Sequence, residues 1–485
     1  NKIGPEGAKA LAVALTPNAE GVFNTSLNTL DLSGNEIRPE GAKALAVALT
    51  PNEEGVFNTS LSTLNLGCNM IGVEGAKALA VALTPNAEGV FNTSLNTLEL
   101  ADNQLCGLDY CGRGTYDASG IKALADALAF NGSLNTVNLA GNAIGDEGAK
   151  ALAVALTPNE AGVFNGSLNT LILYNNRIGP QGAKALAVAL TPNAEGVFNT
   201  SLNTLDLCHN EITGDAAQQL AEAVLKHPGI TEFNKIMMRD IKDGKVTELD
   251  LSGKGIGVPG ARVLSKLLVF NTSLNTLDLG ENRIGPEGAK ALAVALTPNA
   301  KGVFNTSLNS LDLRGNKIGP EGAKALAAAL TPNEEGVFNT SLNTLILAGN
   351  QLCGVDVMGS GTYDASGIKA LAEALVFNTS LNTLDLTWNE IGAEGAKALA
   401  VALTPNEAGV FNTSLNTLNL SGDGIGPEGA KALAAALTPN EKGVFNTSLN
   451  TLNLWGNRLG IEGTAVLQEA VRKHPNAATF KLIVQ

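Results

Sequence analysis

The segment SLNTLDLSGNEIRPEGAKALAVALTPNEEGVFNT at 26–59 returns, with small changes, along the whole chain. Thirteen copies begin at 26, 60, 94, 133, 167, 201, 245, 273, 307, 341, 380, 414 and 448. A recurrence of this length points to an array, because one such unit cannot bury its own apolar face and must pack on its neighbours. The 28-residue copy at 245–272 is the minimal unit. Copies of 34 residues add six around TPNEEGV after the helix, and two copies of 39 instead lengthen the strand-to-helix loop by eleven. The gap of 44 after 201 predicts a degenerate strand near Ile230–Ile236 without a helix of its own. AEAVLKHPGITEF at 221–233 matches QEAVRKHPNAATF at 468–480, so the chain reads as two tandem super-repeats, about 1–244 and 245–485. Both are expected to lie in a single solenoid domain, 1–485. The start, Asn1 to Gly7, matches the middle of a copy as at 316–322, which predicts a chain truncated mid-repeat.

Each copy has an internal logic. Thr29-Leu30-Asp31-Leu32-Ser33 alternates apolar with polar, the period of a half-buried strand. Asn35 follows and recurs at 69, 103, 142, 176, 210, 282, 316, 350, 389 and 457. An amide both donates and accepts, so stacked copies can satisfy backbone groups where each strand bends away. Lys254 and Asp423 interrupt the column, and local looseness is expected there. Pro39 and Glu40 suit a first helical turn. Ala42, Leu45, Ala46 and Leu49 continue at helical spacing, and Thr50-Pro51-Asn52 ends the helix. Twelve of the fourteen phenylalanines share one repeat position, Phe23 to Phe445, and are expected to form a core spine.

The stretch L-x-x-L-x-L-x-x-N, here Leu27, Leu30, Leu32 and Asn35, is the leucine-rich repeat signature, and the chain resembles that family along nearly its whole length. The continuation N-x-I-G-x-x-G-x-x-x-L-x-x-x-L is similar to the ribonuclease-inhibitor-like subfamily. That resemblance implies an α/β solenoid of horseshoe form, with a parallel β-sheet on the concave side and α-helices on the convex side. It also implies a non-enzymatic scaffold or recognition module for protein–protein contacts. The same subfamily supplies the sensing repeats of NOD-like receptors and the body of Ran GTPase-activating proteins, which gives two further readings. No catalytic residue of the Ran activator can be matched, so none is assigned.

Composition narrows the chemistry. A net charge of −14 opposes nucleic-acid binding, which needs a basic face. Apolar runs are broken by Gly, Lys, Thr and Asn before reaching the ~18 residues of a membrane span. Three histidines and five scattered cysteines (Cys68, Cys106, Cys111, Cys208, Cys353) leave little material for a metal or a nucleophile, and no phosphate-binding glycine loop is present. No cofactor or metal is expected. An odd cysteine count without a framework predicts free thiols and an intracellular, cytoplasmic setting. Asn-Thr-Ser or Asn-Gly-Ser precedes twelve strands, a formal glycosylation acceptor read here as a copied turn. His227 and His474 fall at the two matched junctions and are expected near helix C-termini, where the dipole favours a cation.

Differences between copies carry the specificity. The outward strand position is acidic in seven of thirteen copies: Asp31, Glu99, Asp206, Asp250, Asp278, Asp312 and Asp385. This predicts a negative stripe and a protein partner with a basic surface. The next two positions hold Tyr174, His209, Glu281, Arg314, Trp388 and Trp455, among small residues. Trp, Tyr and Arg dominate protein-contact energies, so these are the expected partner-binding residues. The long rim loops, 104–118 and 351–365, are the alternative contact, since insertions on a rigid scaffold often carry function.

Overall fold

The computed structural model describes residues 2–484 apart from 19–20, 53–54, 160–161, 357 and 407–408. Its unit is a three-residue strand, a tight turn and a helix of about twelve residues, as in Thr63–Asn65 followed by Gly72–Leu83. The chain divides into two compact units, Asn1–Met237 and Met238–Gln485, each with its own eight-stranded sheet. The first sheet runs in chain order from Thr29–Asp31 through Thr204–Asp206 to Glu232–Phe233 and Ile236–Met237. The second runs from Glu248–Asp250 to Thr451–Asn453 and Lys481–Ile483. Neighbouring strands are parallel and in register, Leu64 opposite Leu98 and Leu311 opposite Leu345, so leucines of one column stack in the core. The last pair of the first sheet, Glu232–Phe233 and Ile236–Met237, is antiparallel. It is the degenerate strand expected near 230–236, but the five-residue helix Met238–Lys242 follows it.

Within each unit the helices pack side by side, and small residues set the distance. A Cβ built on Gly75 would meet the Cβ of Ala42 on the preceding helix at 3.0 Å, so glycine and alanine together permit this approach. The phenylalanine column is not a core spine. Nine of its twelve members are half-buried, and Phe130, Phe270 and Phe377 are exposed. Those three belong to the copies of 28 and 39 residues, which lack the six added around TPNEEGV.

Asparagine joins one repeat to the next. The Asn69 Oδ1 accepts the backbone N–H of Asn35 at 2.9 Å and of Ile37 at 3.3 Å. Its Nδ2 donates to the carbonyls of Leu32, Leu66 and Gly67, at 2.8, 2.8 and 3.0 Å. Asn142, Asn316 and Asn350 repeat the pattern. A buried backbone group left unpaired costs about 1–3 kcal/mol, so each of these amides protects several such groups at once. At Asp423, where looseness is expected, the residue is fully buried and its Oδ1 accepts the Asn389 N–H at 2.7 Å as an asparagine would.

A second column runs through the Asn-Thr-Ser turns. Asn165 Oδ1 accepts the N–H groups of Ser167 and Leu168, while its Nδ2 donates back to the Leu128 and Asn131 carbonyls. From Asn58 to Asn446 these asparagines are buried, so a glycan on any of them is incompatible with the fold; Asn24 of the first copy is exposed. Histidine ends each column. The His227 Nδ1 accepts the N–H groups of Gly229 and Ile230, both at 3.1 Å, and Nε2 lies 2.7 Å from the Asn199 carbonyl. His474 makes the same contacts to Asn476 and Asn446. Both are helix C-cap residues, as expected, but Nδ1 must stay unprotonated to accept, so the ring works as a neutral amide substitute.

This sets an acid limit. Burial holds the His227 pKa below its usual 6.5, opposed by the bond to Asn199. A depressed folded-state value means the contribution is complete above about pH 6.5 and is lost as pH falls through the folded value. Urea unfolding at pH 7.5, 6 and 5 is expected to show stability falling with acid by up to about 1.4 kcal/mol per pH unit from this group. His227→Asn, which keeps an acceptor and a donor without titrating, should shallow that decline.

Candidate partner-binding surface

The variable positions begin where the strand ends. At that place Asp31, Asp206, Asp250, Asp278, Asp312 and Asp385 each accept the N–H two residues on through Oδ1, at 2.8–2.9 Å. Asn65, Asn138, Asn419 and Asn453 make the same bond at 3.0–3.2 Å. This is an Asx turn, which either side chain closes. Ile172 and Ile346 have no acceptor, and Glu99 is too long for the ring. The stripe is therefore a turn-forming column before it is a charged one. The Ser33 backbone N–H holds the Asp31 carboxyl below the usual range, and the Ser252 hydroxyl does so for Asp250.

The negative stripe expected from sequence is also thinner than its count of carboxylates. In the first unit Asp206 is buried and paired with Lys235 at 2.8 Å. Lys235 lies in the degenerate segment, where no repeat register pointed to it. In the second unit Arg314 binds the buried Asp312 and reaches Asp278 at 3.4 Å. Burial raises the Asp312 carboxyl, with the Arg314 bonds acting the other way. Asp385 accepts from the Thr387 hydroxyl and from the Asn419 amide. Asp31, Asp250 and Glu281 remain exposed, and Glu99 is half-buried.

The position just before the column asparagine has a left-handed backbone. Glycine holds it at 34, 141, 315, 349, 422 and 456, with φ from 64° to 74°. Cys68, Asp102, Asn175, His209, Glu281 and Trp388 hold it with φ from 52° to 58°. A side chain there costs roughly 1–2 kcal/mol relative to glycine. Three of the partner-binding residues expected from sequence thus sit on strained backbone, a feature that concentrates at functional sites. Tyr174 packs on His209 with ring centroids 4.9 Å apart in the first unit. In the second, Trp388 lies over Gly422, where a Cβ would fall 2.9 Å from the indole Cδ2. Trp388 and Trp455 stay 48% and 50% exposed.

The long loops are folded. Leu108 and Gly114 form an antiparallel bridge, as do Val355 and Gly361, while Val357 lies outside the described residues. Tyr116 donates its hydroxyl to the Ile144 carbonyl at 2.7 Å and Tyr363 to Ile391 at 2.6 Å, pinning each loop to the next repeat. Asp109 and Asp356 accept turn N–H groups, as Asp117 and Asp364 do at the helix starts. Among the described residues no group of acidic, histidine or cysteine side chains could hold a metal. Tyr110 and Met358 stand exposed at the tips. Cys106 and Cys353 are buried at the loop bases, where burial pushes both thiols up to about 12. Among the described residues no helix is long and apolar enough to cross a membrane.

Strain at the variable position is measurable. Glu281→Gly removes a left-handed side chain without touching the core, so chemical denaturation should show about 1 kcal/mol of added stability. An unchanged or lower midpoint would mean that Glu281 is held there without strain.

A leucine-rich repeat family model matches residues 23–46, 57–80, 130–153, 164–187, 198–221, 270–293, 304–327, 377–400 and 411–434. Among solved structures, an internalin (inlF) from Listeria monocytogenes is similar at 16% identity and TM-score 0.30, over 96% of this chain and 92% of that one. The actin-binding site 2 of leiomodin-1 is similar at 20% identity and TM-score 0.25, over 31% of this chain and 77% of that one. At these scores neither likeness says what the chain binds. The nine matched segments carry leucine-rich repeats, and the strand–helix repeats with their parallel sheets give each unit an α/β leucine-rich repeat fold.

Proposed function

We propose that the chain is a non-enzymatic protein-recognition scaffold of the ribonuclease-inhibitor-like kind, acting through the strand faces of its two units. The observation that carries this reading is the left-handed column, where His209, Glu281 and Trp388 replace glycine at a cost in stability. Side chains retained against strain, with Tyr174, Arg314 and Trp455 at the position before them, suit a protein surface better than a small ligand. The partner presents a basic surface to the carboxylates still free to pair, Asp31, Asp250 and Glu281. Buried thiols at Cys106, Cys208 and Cys353 and buried glycosylation acceptors support an intracellular setting.

A binding partner captured with the whole chain tests this. Trp388→Ala or Trp455→Ala should weaken binding by about 2 kcal/mol or more, roughly thirtyfold, mostly in the dissociation rate. Asp250→Asn with Glu281→Gln should instead flatten the salt dependence of association. If both sets bind like the parent while deletion of 351–365 abolishes binding, the rim loops are the site instead.

A further inference from the structure

Asp423 is the one member of the asparagine column that carries a carboxyl within it, and it is fully buried. Its Oδ1 keeps the role of the asparagine oxygen, accepting the Asn389 N–H at 2.7 Å. That bond fixes the other oxygen where the column places an amide nitrogen. In the flanking copies this nitrogen is surrounded by acceptors. Asn389 Nδ2 donates to the carbonyls of Leu347, Leu386 and Thr387, and Asn457 Nδ2 to those of Leu420, Leu454 and Trp455. Asp423 Oδ2 is buried without a hydrogen-bond partner. An ionised oxygen can only accept, and in this place it would face carbonyl oxygens that can only accept too. A proton resolves the conflict by turning Oδ2 into a donor.

The surroundings act in the same direction. Burial is the main force raising the Asp423 pKa far above the ordinary carboxylate value, and the nearby charges of Glu390 and Asp385 on the preceding repeat raise it further. The N–H groups of Asn389 and Ile391 oppose this, and the flanking column residues Asn389 and Asn457 are neutral. Cys353, on the repeat before, is a thiol that burial pushes up, so it adds no charge beside Asp423.

This carboxyl belongs to the turn beneath the tryptophans. Gly422, its chain neighbour, is the seat of the Trp388 indole, and the Gly422 N–H donates to the Trp455 carbonyl at 2.8 Å. The Trp388 N–H donates to the Ser421 carbonyl at 3.0 Å. Both tryptophans of the chain are thus tied to the Ser421–Asp423 turn.

We propose that Asp423 is an uncharged carboxylic acid in the native protein, donating a hydrogen bond where its counterparts donate an amide, and that losing this proton releases the turn on which Trp388 and Trp455 are set. As regulation, this rests on the reading of that face as a partner site; as chemistry it does not. The sign follows from linkage: the folded state binds the proton more tightly than the unfolded chain. The contribution is therefore complete below about pH 3.8 and is lost as pH rises through the folded value.

The test needs no partner, so its failure and that of the binding proposal are separable. In Trp455→Phe the sole tryptophan is Trp388. Its emission is expected to shift in a sigmoidal step as pH is raised above the ordinary carboxylate range, and Asp423→Asn in the same background should abolish the step. Folding of that variant is not in doubt, since asparagine is what eleven copies carry. Difference infrared spectra at pH 6 should show a protonated carboxyl C=O stretch in the parent that Asp423→Asn removes. A flat emission profile, a step that survives in Asp423→Asn, or no protonated carboxyl band would each overturn the proposal.

Discussion

Repeat strands such as Thr63–Asn65 are followed by a turn that closes on a buried asparagine set between two repeats. The groups in that turn must find partners in the protein, and a side chain that accepts and donates at once supplies them. Asn69 does so for its own copy and the one before, bonding Asn35 and Ile37 through oxygen and Leu32 and Leu66 through nitrogen. The leucine core supplies burial, but leucine is indifferent to register; the amide is not. Parallel pairing in register, helices held at glycine-to-alanine contact and the exposure of one strand face all follow from repeats that this bond aligns.

Much of this was legible in the chain. The period gave the strands and helices, and the chemistry of asparagine gave the first column, because a donor–acceptor residue at a fixed offset after an apolar strand has few other uses. The second column was not legible. Asn58 and its counterparts sit in Asn-Thr-Ser, a pattern that reads equally as a surface turn, and only burial shows that their amides face inward. The phenylalanines misled for a related reason: a constant position in the repeat does not say how deeply the ring is buried. His227 was placed correctly at a helix end, yet its role depends on Nδ1 accepting, which sequence cannot show.

The candidate surface was half legible. Its positions were found by comparing copies, but the acidic residues there are turn formers first, and two of them, Asp206 and Asp312, are buried against cations. The left-handed backbone under His209, Glu281 and Trp388 was hidden because glycine alternates with bulky residues in that column. The scaffold carries left-handed side chains on both sides of the column asparagine, and the position before it is where one copy becomes different from the next. Asp423 applies the same principle inside the column, trading an amide for a group whose donor depends on a proton.

The central claim is that the column amides, beyond the leucine core, hold adjacent repeats in register. Hydrogen exchange of the Asn282 and Ile284 backbone N–H groups, both bonded to Asn316 Oδ1, tests it most directly. In Asn316→Ala the account predicts that protection of these two amides is lost. It also predicts faster exchange in the neighbouring strands Thr276–Asp278 and Ser310–Asp312. Retained protection at both amides, with loss confined to the substituted residue, would contradict it and leave the apolar core as the sole source of register.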